Sequence, residues 1–402
     1  MIRCGICCYT NVIAVSRYYF DHNATTPVSP EAFEAMVPAL LEAYGNASSI
    51  HHFGQVAKQR LEMARRQTAS LIKCDPREVV LLSGGTEASN LAIFGSLRWQ
   101  GVEGRHVITT AIEHPAVLNP CAQLEREGAC VTYLPVDSTG VVDPDDVRRA
   151  LRPETALVSV MHVNNETGVI QPLREISAIA REAGVPLHSD GVQAVGKIPV
   201  DVTALGADLY SISGHKLCAP KGIGALFVKK GTKLAPILFG GHHERERRPG
   251  TENVAGAVGL GRAGVWIEEN LEDEIERVRV LRDLLEQGIL GRVPDSGVNC
   301  GSAPRTTNTS NIFFDGVDGE AMVISLDLKG FAVSSGSACS SGAVEPSHVL
   351  MAIGVSPERA RASLRFSLGR PNTLEQVDAL IDAVAGSAAH LRKLSPAYSV
   401  RV

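Results

Sequence analysis

Between about Tyr18 and Val228, short runs of β-branched and other apolar residues alternate with longer segments whose apolar positions recur at helical spacing. The short runs predict strands at Val79 to Leu82, His106 to Thr110, Val131 to Leu134, Leu157 to Met161, Pro186 to Ser189, Leu209 to Ile212 and Gly224 to Val228. Strands separated by helices predict an α/β fold, a mostly parallel sheet flanked by helices on both faces. Two helix starts are legible. Ser29-Pro30-Glu31 and Asp143-Pro144 each place a capping oxygen before a proline in the first turn. Pro38 predicts a kink or a late restart of the first helix.

A helical stretch from about Thr251 to Leu290 then leads away from the sheet, and the pattern changes. Strand-like Ser310 to Phe314 and Ala362 to Ser367 interleave with helical segments at Gly319 to Leu328, Ser347 to Ile353 and Thr373 to Leu391, a smaller α+β domain. The span 333–346 is rich in Ser and Gly and predicts a mobile loop. The organisation expected is an N-terminal extension (1–17), a large domain (18–260) and a small C-terminal domain (261–402).

Composition narrows this picture by exclusion. With 402 residues, 44% hydrophobic and 21% charged, the chain can bury a large core. A net charge of −5 supplies no basic field for nucleic acid. No apolar run approaches the length of a membrane span. The nine cysteines are scattered and odd in number, which suits a reducing compartment and predicts a cytoplasmic protein. Cys4, Cys7 and Cys8 lack a second ligand cluster nearby, so the extension carries no zinc signature.

Candidate chemistry centres on Ser213-Gly214-His215-Lys216. Taken alone, this run is either a turn with an exposed lysine or a lysine set among small and hydrogen-bonding residues for Schiff-base chemistry. In the second reading the aldehyde is pyridoxal phosphate. Ser213 and His215 offer donors to its phosphate, Gly214 allows close approach, and Asp190 holds the pyridine nitrogen protonated. Ser83-Gly84-Gly85-Thr86-Glu87 falls between a strand and a helix, as a tight turn or a phosphate cup. His114 and Asn164-Asn165 likewise follow strands, where such residues are often structural. One parallel sheet would, however, bring Gly85, His114, Asn165, Asp190 and Ser213 to the same edge.

Three further features stand outside that edge. Cys339 lies among Ser, Gly and Ala, which suits an accessible nucleophilic thiol. Arg365 interrupts a strand-like run, either to grip a carboxylate at two points or to face water. The charged stretch from Gly240 to Thr251 reads as a solvated or interface loop, because adjacent His242-His243-Glu244 do not converge on a metal without further ligands.

With Lys216, Asp190, His114 and Cys339 in place, the chain resembles the cysteine desulfurases from Tyr18 to its end. The matching runs include Asp21-His22-Asn23-Ala24-Thr25-Thr26, Gly45-Asn46-Ala47-Ser48-Ser49, Ser83 to Glu87, Asn164-Asn165-Glu166-Thr167-Gly168, Ser213 to Lys216 and Ser335 to Cys339. The long Ser/Gly loop is similar to that of the iron–sulfur group. Gly241-His242-His243-Glu244 and Leu391 to Pro396 are similar to the nitrogenase-associated branch.

The resemblance implies a fold-type-I homodimer that takes sulfur from L-cysteine, leaves alanine and a persulfide on Cys339, and hands the sulfur to an iron–sulfur scaffold or other acceptor protein. It implies no permanent metal, only transient contact of that persulfide with a cluster on the scaffold. Lys216 would carry the cofactor, His114 stack on its ring, Asp190 meet the ring nitrogen and Gln193 the ring hydroxyl. Gly85, Thr86, Ser213, Gly214 and His215 would surround the phosphate, and Thr251 would reach the phosphate of the partner subunit. Asn165 and Arg365 would orient the substrate. A selenocysteine lyase, an aminotransferase of the same fold, and a non-catalytic iron–sulfur scaffold are the alternatives. Two positions depart from relatives: Cys218, and Glu246 where a glycine is usual.

Overall fold

A computed structural model describes residues 17–335 and 345–394. Cys339 and the cysteine-bearing extension lie outside the described residues. The strands are β1 (Tyr18–Tyr19), β2 (Val79–Leu82), β3 (His106–Thr110), β4 (Cys130–Leu134), β5 (Thr155–Ser159), β6 (Leu187–Asp190), β7 (Leu209–Ser213), β8 (Gly224–Val228), β9 (Ser296–Val298), β10 (Thr309–Phe314), β11 (Phe331–Ala332), β12 (Ser334–Ser335) and β13 (Ser363–Ser367).

The large sheet has seven strands in the order β2-β8-β7-β6-β5-β3-β4. All its pairings are parallel except those of β8, which runs against both β2 and β7. Successive side chains of a strand alternate faces, and the packing follows that alternation. Val79 and Leu81 join Tyr210, Ile212, Ala225 and Phe227 in one core. Val80 and Leu82 join Leu209, Leu226 and Val228 in another. Both faces are therefore covered, as a mainly parallel sheet requires.

The first helix runs unbroken over Pro30–Leu41 through Pro38, with Ser29 capping its start, so the expected restart does not occur. Asp143 caps Pro144–Ala150 as expected. The long helix spans Val254–Arg292 and serves both halves of the molecule. Its Ala257, Leu260, Ala263 and Ile267 pack on the large sheet, whereas Val278, Leu281, Leu285 and Ile289 enter the core of a second sheet. That second sheet is antiparallel, in the order β12-β13-β10-β9. β12 places Ser334 opposite Arg365, so the loop expected from residue 333 begins with two paired residues.

The chain enters this arrangement through the small sheet's side. β1 pairs in parallel with β11, and Phe20 packs with Ile312, Phe314, Leu364 and Phe366. Residues 21–26 then cross to the edge of the large sheet, where they meet His215 and Lys216.

Candidate active site

Because β2, β3, β5, β6 and β7 run in one direction, their carboxyl ends share an edge, and Gly85, His114, Asn165, Asp190 and Ser213 follow from them there. β8 brings its amino end to the same edge. A Cβ on Gly224 would sit 2.6 Å from Gly84 Cα, and one on Gly85 would sit 2.6 Å from Val192 Cγ2 and 3.3 Å from Ser213 Cβ. Glycine is thus a packing requirement at the start of helix Gly85–Gln100. Among the described residues no side chain caps that helix, so its first backbone N–H groups face the edge without such a cap.

His114 is the N-cap of helix Pro115–Arg126, and its Nδ1 accepts the Ala116 N–H at 3.0 Å. An accepting Nδ1 leaves the proton on Nε2. Burial lowers the pKa of this imidazole, with Asp190 opposing and Lys216 and His348 reinforcing the shift, which favours the neutral ring. Asp190 is itself buried and accepts the Val192 N–H at 2.9 Å. Burial pushes its carboxyl upward, against His114, that hydrogen bond and Lys216, so a further cationic N–H donor would complete its surroundings.

Lys216 follows β7 in a single 3₁₀ turn, after Gly214, where a Cβ would meet Ile223 Cγ2 at 2.7 Å. Its Nζ donates to the Asn23 carbonyl and, at 2.7 Å, to the Ala24 carbonyl. His215 Nδ1 lies 3.1 Å from Thr25 Oγ1, and its pKa is lowered by burial to about 4.

The hub of the site is Asn23, which carried no role in the sequence reading. Its N–H donates to Ser367 Oγ, its Nδ2 to the Asn165 carbonyl and Thr309 Oγ1, and its Oδ1 accepts from Asn308 and from Lys197 Nζ at 2.8 Å. Lys197 is a second partly buried amine, also bonded to Gln193 Oε1. Burial, helped by Lys216 and Arg365, drives its pKa well below that of an ordinary lysine. The signal for both was weak: Asn23 sat in a quoted run, and Lys197 is one charged residue after Gln193.

Arg365 projects from β13 toward the same edge, buried to 6% exposure. Its two terminal nitrogens donate to the Asn165 carbonyl at 3.0 Å and to Asp21 Oδ1 at 2.8 Å. Nε has no partner among the described residues. The expected two-point grip can draw on Nε–H and on the second N–H that each terminal nitrogen carries, with Asp21 already held beside it as a neighbouring carboxylate. Gln193 is also engaged, with Nε2 donating to the Asn23 carbonyl at 2.9 Å. Thr86 and Thr251 are exposed.

The stretch from Gly240 to Thr251 is largely exposed, as a solvated or interface loop would be, with one exception. Glu244 is not solvated: it is 7% exposed, and Arg65 grips its carboxylate with two hydrogen bonds of 2.6 and 2.7 Å. The departures also find a physical setting, since Cys218 and Glu246 have φ of 57° and 65°, in the left-handed region that glycine adopts freely. The charged run His242 to Arg248 hid the burial of Glu244, because its composition signals solvent.

The residues present fit pyridoxal phosphate. A helix start without a side-chain cap and the serine at the end of β7 suit a phosphate. A buried carboxylate suits a protonated ring nitrogen, a neutral imidazole can stack, and a half-buried amine stands beside them.

Comparisons with known proteins agree. A family model described as aminotransferase class-V matches residues 18–380. The chain is 47% identical over 378 residues to the cysteine desulfurase IscS of Dictyoglomus turgidum, covering 94% of this chain and 96% of that one. It is 48% identical over 382 residues to a cysteine desulfurase of Nostoc sp., covering 95% of each. Among solved structures, a NifS-like protein superposes with a TM-score of 0.88 at 34% identity, covering 93% of this chain and 100% of that one. A structure titled SspA in complex with cysteine gives 0.78 at 36% identity, covering 87% and 98%.

Proposed function

This chain belongs to the class-V aminotransferase family and is a pyridoxal-phosphate-dependent cysteine desulfurase, and we propose that Lys216 holds the cofactor and moves the substrate's α-proton. Bound pyridoxal phosphate supplies an electron-withdrawing ring that stabilises negative charge at the substrate's α-carbon. The chain's residues supply the rest. Lys216 Nζ takes the proton, and the nearby carbonyls of Asn23 and Ala24 orient the amine. Asp190 balances charge at the ring nitrogen, while His114 covers the ring with its Nε2–H turned away from the Ala116 contact. Gly85, Thr86, Ser213, Gly214 and His215 enclose the phosphate. Arg365 and Asn165 orient the substrate, with Asp21 already bonded to one terminal nitrogen as a competing carboxylate.

Cys339, outside the described residues, is the nucleophile in this reading. Its thiolate attacks the substrate sulfur, a sulfur–sulfur bond forms, and the carbon–sulfur bond breaks with its electron pair passing to the β-carbon; that carbon takes a proton and Lys216 returns the α-proton, giving alanine. The persulfide passes to an acceptor protein for iron–sulfur assembly, nitrogenase maturation being one destination.

The observation that carries this reading is the convergence of Gly85, His114, Asp190, Ser213 and Lys216 at one sheet edge, joined through Asn23 to the strand of Arg365. We assign residues 18–260 to a large cofactor-holding domain and 261–402 to a small one, although Phe20 packs in the core of the small domain and Ala263 and Ile267 in that of the large one, and we place the protein in the cytoplasm. No described helix is long and apolar enough to cross a membrane. A homodimer fits the exposed Tyr44, Ile50 and Phe239, and within it Thr251 would serve the partner subunit's phosphate.

L-Cysteine added to the purified protein should yield alanine together with a persulfide mapped to Cys339. Normal release of alanine and sulfide by Cys339→Ser would remove that residue from the mechanism. A requirement for a keto acid would indicate an aminotransferase, and faster turnover of selenocysteine in competition would indicate a lyase. Protein purified without yellow colour would favour a scaffold.

A further inference from the structure

Glu244, Arg245 and Glu246 have φ of 44°, 57° and 65°, an unusual run for residues with side chains. Such a run persists only where surroundings over-determine it. Here the exposed edge of β2 does so. Among the described residues β2 ends the large sheet, so its outer backbone groups have no neighbouring strand there. Glu244 Oε2 accepts the Leu81 N–H at 2.8 Å, and Arg65 and Arg245 donate to the Val79 carbonyl at 2.9 and 3.3 Å. The loop covers that edge, with the Arg65–Glu244 pair as its buried fastening.

The same loop then reaches the start of helix Gly85–Gln100. Arg248 Nε donates to Glu87 Oε1 at 3.0 Å, and Glu87 Oε2 accepts the N–H of Ser83, the residue that follows β2. The side chains of Arg248 and Glu87 are 24% and 13% exposed. Burial works against ionisation of Glu87, but the bonds from Ser83 and Arg248 outweigh it and hold the carboxyl below the ordinary glutamate value. An anionic carboxylate therefore sits in the first turn of the helix whose start is to hold a phosphate.

We propose that Arg248 is a positioning residue that neutralises Glu87 beside the phosphate end of the site, with the Arg65–Glu244 pair bracing it from the edge of β2. These contacts and the chain between Glu244 and Arg248 close a circuit from β2 through Glu244, Arg248, Glu87 and Ser83 back to β2. Without Arg248 the circuit opens and the carboxylate repels a doubly charged phosphate. The proposal rests on the reading that Gly85, Thr86 and Ser213 face that phosphate.

The test uses the full chain, freed of cofactor and titrated separately with pyridoxal phosphate and pyridoxal, bound ligand being read by absorbance. The ratio of the two affinities isolates the phosphate. Arg248→Gln should lower that ratio by about tenfold while pyridoxal affinity stays within about twofold. Arg248→Lys should keep the ratio within about threefold of the starting protein, and Glu87→Gln added to Arg248→Gln should restore it to the same range. An unchanged ratio in Arg248→Gln, or a double variant as weak as the single one, overturns the proposal. If Thr86→Ala and Ser213→Ala also leave the ratio unchanged, the phosphate reading itself fails. If those two lower it and Arg248→Gln does not, only the role of Arg248 fails.

Discussion

Replacing Glu244 with alanine removes the fastening of the loop and should lower the unfolding free energy by about 3–5 kcal/mol. The figure comes from three contributions. Arg65 and Glu244 are 4% and 3% exposed at their side chains, and breaking one partner from such a pair costs about 3–5 kcal/mol because a charge stays buried. The Leu81 N–H loses its acceptor, adding about 1–3 kcal/mol. Against these, the left-handed run relaxes and returns about 1–3 kcal/mol, and Arg65 keeps Glu62 at 3.2 Å and the Val79 carbonyl at 2.9 Å. The assay is equilibrium urea unfolding of cofactor-loaded protein at fixed concentration, followed by far-ultraviolet circular dichroism. Arg65→Met combined with Glu244→Met buries no charge and should recover about 2 kcal/mol relative to Glu244→Ala. A loss below about 1 kcal/mol in Glu244→Ala, or a double variant no better than the single one, would refute the reasoning.

Two other outcomes follow from buried or exposed groups. Glu113 is fully buried, with Oε1 bonded to Thr110 and Met161 and Oε2 without a partner among the described residues, and burial pushes its pKa to about 8. Folded protein thus keeps a proton that the unfolded chain releases above pH 4.5, so Glu113 favours the fold at low pH and loses that advantage as pH rises to about 8. The stability of Glu113→Gln relative to the starting protein should climb by about 1.4 kcal/mol per pH unit across that window and then level, and a flat difference in unfolding free energy excludes the shift. Tyr44 stacks on Phe53 at 5.5 Å and is 69% exposed, so Tyr44→Asp should shift sedimentation from dimer to monomer; a starting protein that already sediments as a monomer rejects the dimer.

The strands of the large sheet were legible because most are short runs rich in β-branched and other apolar residues set between helical segments, and their bounds fell within two residues of the expected ones. The reversed direction of β8 was not, since an apolar run carries no sign of its sense. The two-residue strands β1 and β11 leave no periodic trace at all. Gly85, His114, Asn165, Asp190 and Ser213 could be grouped from strand ends alone. Asn23 could not, because a single amide acquires its partners only through residues far away in sequence. Glu244 misled for the opposite reason: charged neighbours imply solvent, and only a complementary guanidinium from a distant helix makes its burial tolerable.

The crossing segment at residues 21–26 has a consequence for how the protein is made. Asn23 is among the first residues of the fold to leave the ribosome, yet its partners Asn308 and Ser367 lie 285 and 344 positions later. A nascent chain can pair β2 to β8 while translation continues, but it cannot tie the carbonyls around Lys216 to the small sheet until nearly all of the polypeptide has emerged. Assembly of the amine site is thereby made the closing event of synthesis, and truncated chains are left without its full set of contacts.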